Sequence, residues 1–190
     1  MSIDKLKANY PVDIRWVHFP LHPETPQQGQ SLEELFAGRD IQGFKQKMKA
    51  LMAEAGLPYG DRTHTYNSRL AQELGKWGDT QDGGDAIHDK LYQAYFVDNL
   101  NIGDIDELVR IAASAGLDKN LARRVLENRE FKQQVDEDWR RSREAGITGV
   151  PTFVANDLVV VGCQPYATLE KFVNHLLAEG KKNREKAHDK

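Results

Sequence analysis

Apolar and polar positions alternate near both ends of the chain, whereas the middle follows a helical period. Val12–Val17 alternates apolar and polar side chains, which predicts a half-buried strand. Thr152–Ala155 and Leu158–Val161 predict two further short strands. The Asn156-Asp157 pair between them tolerates the positive φ of a tight turn, so these two strands should form a hairpin.

The stretch from Ser31 to Gly146 is predicted to be almost wholly helical. A capping-box pattern, Ser31-x-x-Glu34, opens it, and Asp104 and Asp118 occupy cap positions of later helices. A proline-rich loop at residues 18–30 precedes this stretch. The helical periods cover residues 41–55, 66–77, 85–97, 104–115 and 131–145, a further helix starts at 118, and a last one follows Pro165.

Composition narrows the class of protein. The 190 residues are 39% apolar and 29% charged with a net charge of -3, which suits one domain, or one domain with a large insertion. The charge gives no reason to expect nucleic-acid binding, and no apolar run has the length of a membrane span. A single cysteine, Cys163, forms no internal disulfide, so we expect a cytoplasmic protein.

The segment Gly149-Val150-Pro151 is the first candidate for function. A cis Val150–Pro151 bond is expected there, because cis peptide bonds are almost confined to proline. Such a turn would leave the amide and carbonyl of Val150 free to pair with an extended peptide, and Thr152 completes the predicted substrate-binding set. The alternative is that Pro151 merely starts a strand.

The lone thiol is the second candidate. With Asn156-Asp157 as the turn, Pro151 faces Gly162, so Cys163 should stand opposite Val150, where it is a candidate reactive thiol. The alternative is a small buried residue with an inert thiol. No metal site is expected, since the prolines around the His18-x-x-x-His22 spacing argue against a helix.

Several segments together resemble the DsbA-like branch of the thioredoxin superfamily, and within it the FrnE-type oxidoreductases. The similar segments, which lie between Asp4 and Ala178, are Trp16–Pro23, Arg69-Leu70-Ala71, Asn101–Asp104, Gly146–Phe153 and Gly162–Pro165. The resemblance implies an α/β, thioredoxin-like fold of DsbA type with a large all-helical insertion. Residues 1–30 and 146–180 would form the thioredoxin-like part, 31–145 the insertion, and 181–190 a disordered charged tail.

The resemblance also shows a departure. Such proteins begin with a strand and a Cys-x-x-Cys pair at the start of the first helix, and this sequence has no such pair. Ile3–Lys7 resembles the far end of that helix, so the first strand and the first half of helix 1 are expected to be missing. Three arrangements then remain open: a truncated form of a longer protein, a strand supplied by a partner subunit, or direct pairing of Val12–Val17 with the hairpin.

The resulting functional interpretation is a DsbA/FrnE-like thiol–disulfide oxidoreductase that is redox-impaired because the Cys-x-x-Cys is absent. Val150, Pro151 and Thr152 would dock a protein or peptide thiol or disulfide substrate, with Cys163 as the one thiol. No cofactor is expected apart from glutathione as a candidate, and a homodimer remains open. The alternatives are a non-redox peptide-binding or chaperone-like module, and a relative of the glutathione-linked isomerases.

Overall fold

The computed structural model describes residues 2–188. It divides into two compact units: unit 1 consists of Met1–Leu21 with Ser142–Lys190, and unit 2 of His22–Arg141. In chain order the elements are α1 (Ser2–Asn9), β1 (Gln30–Ser31), α2 (Leu32–Leu35), α3 (Ile41–Glu54), β2 (His64–Thr65), α4 (Arg69–Gly78), α5 (Ala86–Phe96), α6 (Ile105–Ser114), α7 (Lys119–Glu127), α8 (Lys132–Glu144), β3 (Thr152–Ala155), β4 (Leu158–Val161) and α9 (Tyr166–His188).

Unit 2 is built around helices α4 to α7. The Asp104 side chain accepts a hydrogen bond from the Glu107 amide at 3.0 Å and so caps α6, and Asp118 caps α7 in the same way. The apolar stripes of these helices face one another. Their buried residues form the core of this unit: Ala71, Leu74, Trp77, Ile87, Ala94, Ile102, Leu108, Val109, Ile111, Ala112, Ala122, Val125 and Leu126.

Unit 1 has a smaller core between α1, α9 and the β3–β4 hairpin. Leu6 of α1 and Leu169 and Val173 of α9 are buried there, and the hairpin contributes Phe153 and Val160 from one of its faces. Polar groups connect the two helices nearby. The hydroxyls of Tyr10 and Tyr166 both donate to the Glu170 carboxylate.

The strand predicted at Val12–Val17 does not form. Residues 11–20 have no regular secondary structure, although the predicted alternation survives in the half-buried Val12 and Ile14 beside the exposed Asp13. A strand exists only through pairing with a neighbour, and β3–β4 is a sheet of two strands. The hypothesis that Val12–Val17 pairs directly with the hairpin is therefore wrong for this structure.

The helices of unit 2 lie where the helical periods of the sequence predicted them, with two local differences. His64–Thr65 pairs antiparallel with Gln30–Ser31, so α4 begins at Arg69 rather than at residue 66. The apolar positions of α3 are not buried, and Phe44 and Leu51 are about half exposed. The predicted Ser31 capping box is present, with the Glu34 amide donating to the Ser31 hydroxyl at 3.1 Å.

The last helix runs further than the pattern indicated. Its backbone continues to His188, where the sequence predicted a disordered tail, because Lys, Glu and Arg favour helix and no proline follows Gly180. Residues 189–190 of that tail lie outside the described residues. Within residues 2–188, no helix is both long enough and apolar enough to cross a membrane.

Candidate functional site

The β3–β4 hairpin has the register that the sequence predicted. Phe153 pairs with Val160 and Ala155 pairs with Leu158, and Asn156 in the turn adopts a φ of 51°. The Gly162 amide donates to the Pro151 carbonyl at 2.8 Å, which extends the ladder by one pair beyond the strands. Pro151 therefore lies directly opposite Gly162, at the end of the sheet.

The segment before β3 presents an open stretch of backbone. The Val150–Pro151 peptide bond is cis, and the Thr152 hydroxyl donates to the Gly149 carbonyl at 2.8 Å, across the bend. Val150 is 52% exposed. Within residues 2–188 neither its amide nor its carbonyl forms a hydrogen bond. These two groups can therefore pair with an extended chain, as a strand edge does.

Cys163 follows the residue that pairs with Pro151. Gly162 has a φ of +87°, a conformation that favours glycine, so the chain leaves the direction of β4 just before Cys163. The Gln164 side-chain amide donates to the Val161 carbonyl at 2.7 Å and holds this bend. The thiol is free and exposed rather than buried, so a reagent in solution can reach it.

A buried ionic cluster in unit 2 was not predicted. The Glu73 side chain is 1% exposed and accepts hydrogen bonds from Arg69 at 2.7 Å and from Arg129 at 2.7 and 2.8 Å. Arg69 also donates to Asp136 and to the Lys132 carbonyl. The Arg69-x-x-x-Glu73 spacing on α4 could have indicated the first of these ion pairs from the sequence. Arg129 lies 56 residues after Glu73, so nothing in the sequence indicated the second pair. This cluster ties α4 to the α7–α8 turn and is structural.

Neither histidines nor acidic residues assemble a metal site in the described part of the chain. No group of three or more histidine, cysteine, aspartate or glutamate side chains has suitable geometry within residues 2–188. In the acidic turn between α4 and α5, Asp79 instead contacts His88 at 2.6 Å.

A family model matches most of the chain, and one curated protein is similar to it over most of its length. The family model described as "DSBA-like thioredoxin domain" matches residues 1–174. The chain is 29% identical over 168 residues to the YwbO protein of Bacillus subtilis (strain 168), covering 86% of this chain and 82% of that protein.

Two solved structures are similar to this chain in fold. The probable DsbA oxidoreductase SCO1869 from Streptomyces coelicolor matches with a TM-score of 0.85 and 26% identity, over 94% of this chain and 82% of that one. A 2-hydroxychromene-2-carboxylate isomerase matches with a TM-score of 0.65 and 18% identity, over 96% and 89% of the two chains, which shows the fold alone. With a family model that covers most of its length, the chain belongs to the DSBA-like thioredoxin domain family.

Proposed function

We propose that this chain is a thiol–disulfide oxidoreductase family protein of the FrnE type, redox-impaired in this form, that docks an extended peptide or protein substrate. The observation that carries the proposal is the exposed Val150, whose amide and carbonyl have no hydrogen-bond partner within residues 2–188. An extended substrate would accept a hydrogen bond from the Val150 amide and donate one to its carbonyl. The Thr152 hydroxyl stabilises this segment by donating to the Gly149 carbonyl across the cis Val150–Pro151 bond.

The thiol chemistry proposed for this chain is a single exchange step. The Cys163 thiolate attacks one sulfur of a substrate disulfide, a new sulfur–sulfur bond forms, and the second substrate sulfur leaves as a thiolate. The product is a mixed disulfide, with glutathione or with a peptide. The chain contains one cysteine, so its own thiols cannot complete a two-thiol cycle and it is redox-impaired in this form.

A single exposed thiol is typical of a protein in a reducing compartment. In an oxidising compartment such a thiol would be capped or bridged to another, whereas the glutathione pool of the cytoplasm keeps it reduced. We therefore propose a cytoplasmic location, with a bridge between two copies as the oxidised alternative product.

The second candidate is a non-redox peptide-binding or chaperone-like module. It rests on the same open backbone at Val150 and does not use Cys163. The two candidates differ in one measurable quantity, the formation of a mixed disulfide.

The test compares two disulfides as reagents for Cys163, with mass spectrometry as the readout. We expect an extended peptide that carries a disulfide to modify the chain about tenfold faster than 2-hydroxyethyl disulfide, because backbone pairing at Val150 would retain it on the hairpin that Cys163 follows. Cys163→Ser should abolish both products. Equal rates for the two reagents would contradict docking, and binding of the peptide without any adduct would favour the non-redox module.

A second assay addresses turnover. The 190-residue chain should not catalyse the reduction of insulin by dithiothreitol above the uncatalysed rate, since it has no resolving thiol. Catalytic turnover in this assay would contradict the interpretation as a redox-impaired form.

A further inference from the structure

A groove of about 410 Å³ lies between α5 and α6 in unit 2. Its floor is apolar, because Ala94 of α5 and Ile111 of α6 are buried and the half-buried Leu100 joins them from the connection between the helices. The other lining side chains are polar or charged: Lys90, Gln93, Asp98, Glu107, Arg110 and Ser114. An apolar floor with a few polar groups at this volume is typical of a site for a small molecule.

The order of these residues along the chain assigns them to the two ends of the groove. Residues 97–104 connect the helices, and the Leu100 amide bonds back to the Ala94 carbonyl at 2.8 Å, so the chain reverses there. Asp98 and Glu107 flank this connection and lie at one end. Lys90 lies two turns earlier on α5 and Ser114 two turns further on α6, so they lie at the other end.

The two ends carry opposite charges that have no partner in the described part of the chain. Arg110 donates to the Glu107 carboxylate at 3.0 Å, so these two charges balance each other. Neither Lys90 nor Asp98 forms an ion pair with any residue that the structure describes. The groove therefore offers an ammonium at one end and a carboxylate at the other, which is complementary to a zwitterion.

The separation of these two charges indicates the length of the ligand. Lys90 and Asp98 stand eight residues apart, which corresponds to about 12 Å along a helix. A charge-assisted hydrogen bond at each end occupies about 2.8 Å, so about 6 Å remains between the ligand's own charges. Two extended residues span about 7 Å, whereas both charges of a free amino acid are attached to a single carbon.

We propose that the groove between α5 and α6 binds a zwitterionic dipeptide with apolar side chains. The ammonium of the dipeptide would donate to Asp98, and its carboxylate would accept from Lys90. The side chain of Gln93, which lies between these two along α5 and has no other bond among the described residues, would contact the peptide group of the ligand. The site uses neither Val150 nor Cys163, so it goes beyond the function proposed above.

The test titrates the ¹⁵N-labelled full chain with Val-Val and follows the amide chemical shifts by NMR. Two blocked forms serve as comparisons, since N-acetyl-Val-Val lacks the ammonium and Val-Val-amide lacks the carboxylate. We expect shifts in α5 and α6, and about tenfold weaker binding of each blocked form. This arm leaves the protein unaltered.

Two variants then match each end of the groove to one end of the ligand. Lys90→Gln should bind Val-Val and Val-Val-amide equally, while it still prefers Val-Val to the N-acetyl form. Asp98→Asn should bind Val-Val and N-acetyl-Val-Val equally, while it still prefers Val-Val to the amide. Lys119→Gln and Asp82→Asn remove the same charges from exposed positions outside the groove and should leave all affinities unchanged.

Several results would overturn the proposal. These are no shifts with Val-Val at millimolar concentration, equal affinity of the unaltered chain for all three ligands, or equal loss of affinity in the two groove variants whichever end is blocked. Binding of N-acetyl-Val-Val-amide as tightly as Val-Val would make the interior of a longer chain the occupant and would also overturn it. The docking role of Val150 is tested separately, through the rates of Cys163 modification.

Discussion

At the residue scale, the Glu73 carboxylate lies between the guanidinium groups of Arg69 and Arg129 in unit 2. Burial alone would raise the pKa of Glu73, but the hydrogen bonds from Arg129 and Arg69 outweigh it and hold this pKa below its ordinary value of 4.5. A carboxyl whose pKa is lower in the folded state stabilises the fold above the unfolded pKa. That contribution is lost as the pH falls through the folded pKa.

Glu73→Gln should therefore lower the free energy of unfolding by about 3 kcal/mol at pH 7, because two guanidinium groups lose a buried anionic partner. Urea unfolding followed by fluorescence measures this change. The difference between the variant and the unaltered chain should shrink as the pH falls from 4.5 towards the lower pKa of the folded state, because the unfolded carboxyl takes up its proton first. Glu137→Gln, in an exposed pair with Arg140, is the matched control and should not shift the unfolding midpoint measurably. A difference that stays constant with pH would contradict the electrostatic account.

Of the two ion pairs of Glu73, only the one with Arg69 could be predicted from the sequence. Arg69 and Glu73 stand four apart on one helix, so their contact follows from helical spacing. Arg129 reaches Glu73 only because the α7–α8 turn folds back onto α4, with Arg129 itself at a φ of 53°. Such a contact depends on tertiary packing and leaves no local pattern to detect.

At the element scale, locally determined features were predicted well. The hairpin follows from alternation and its Asn156-Asp157 turn, and α6 and α7 follow from their caps at Asp104 and Asp118. The exposed face of α3 and the unpaired Val12–Val17 segment were not predicted, because burial and strand pairing depend on neighbours far along the chain. The proposed docking residues Val150, Pro151 and Thr152 were predicted from the hairpin, whereas the limitation of its sheet to two strands within residues 2–188 emerged only from the structure.

The turn between α4 and α5 allows a test of close backbone packing at Gly84. A Cβ added at Gly84 would collide with the backbone carbonyl of Gly78, which cannot give way as a flexible side chain can. We expect Gly84→Ala to cost about 2 kcal/mol of unfolding free energy, measured by urea denaturation. Gly180→Ala in α9 meets no atom within 4 Å and should be neutral or slightly stabilising. Destabilisation by both substitutions alike would contradict this explanation.

At the scale of the whole molecule, the two units have unequal cores. Unit 2 buries the large cluster that includes Leu108, whereas unit 1 relies on Leu6, Leu169 and Val173 beside a two-stranded sheet. A sheet of two strands has little stability of its own, so the hairpin depends on its packing against α1 and α9. The proposed docking site therefore lies on the part of the molecule with the smaller core, where local opening should cost least.

Hydrogen exchange can test this distribution of stability. Leu169→Ala removes a side chain that is 2% exposed and should destabilise its surroundings by about 3 kcal/mol. Amide exchange should then accelerate in α1, β3 and β4, with little change in α6 and α7. Leu108→Ala, in the core of unit 2, is the matched substitution and should accelerate exchange in α6 and α7. If Leu169→Ala accelerated exchange equally in all of these elements, the chain would open as one cooperative body, and the hairpin would be no easier to open than the helices of unit 2.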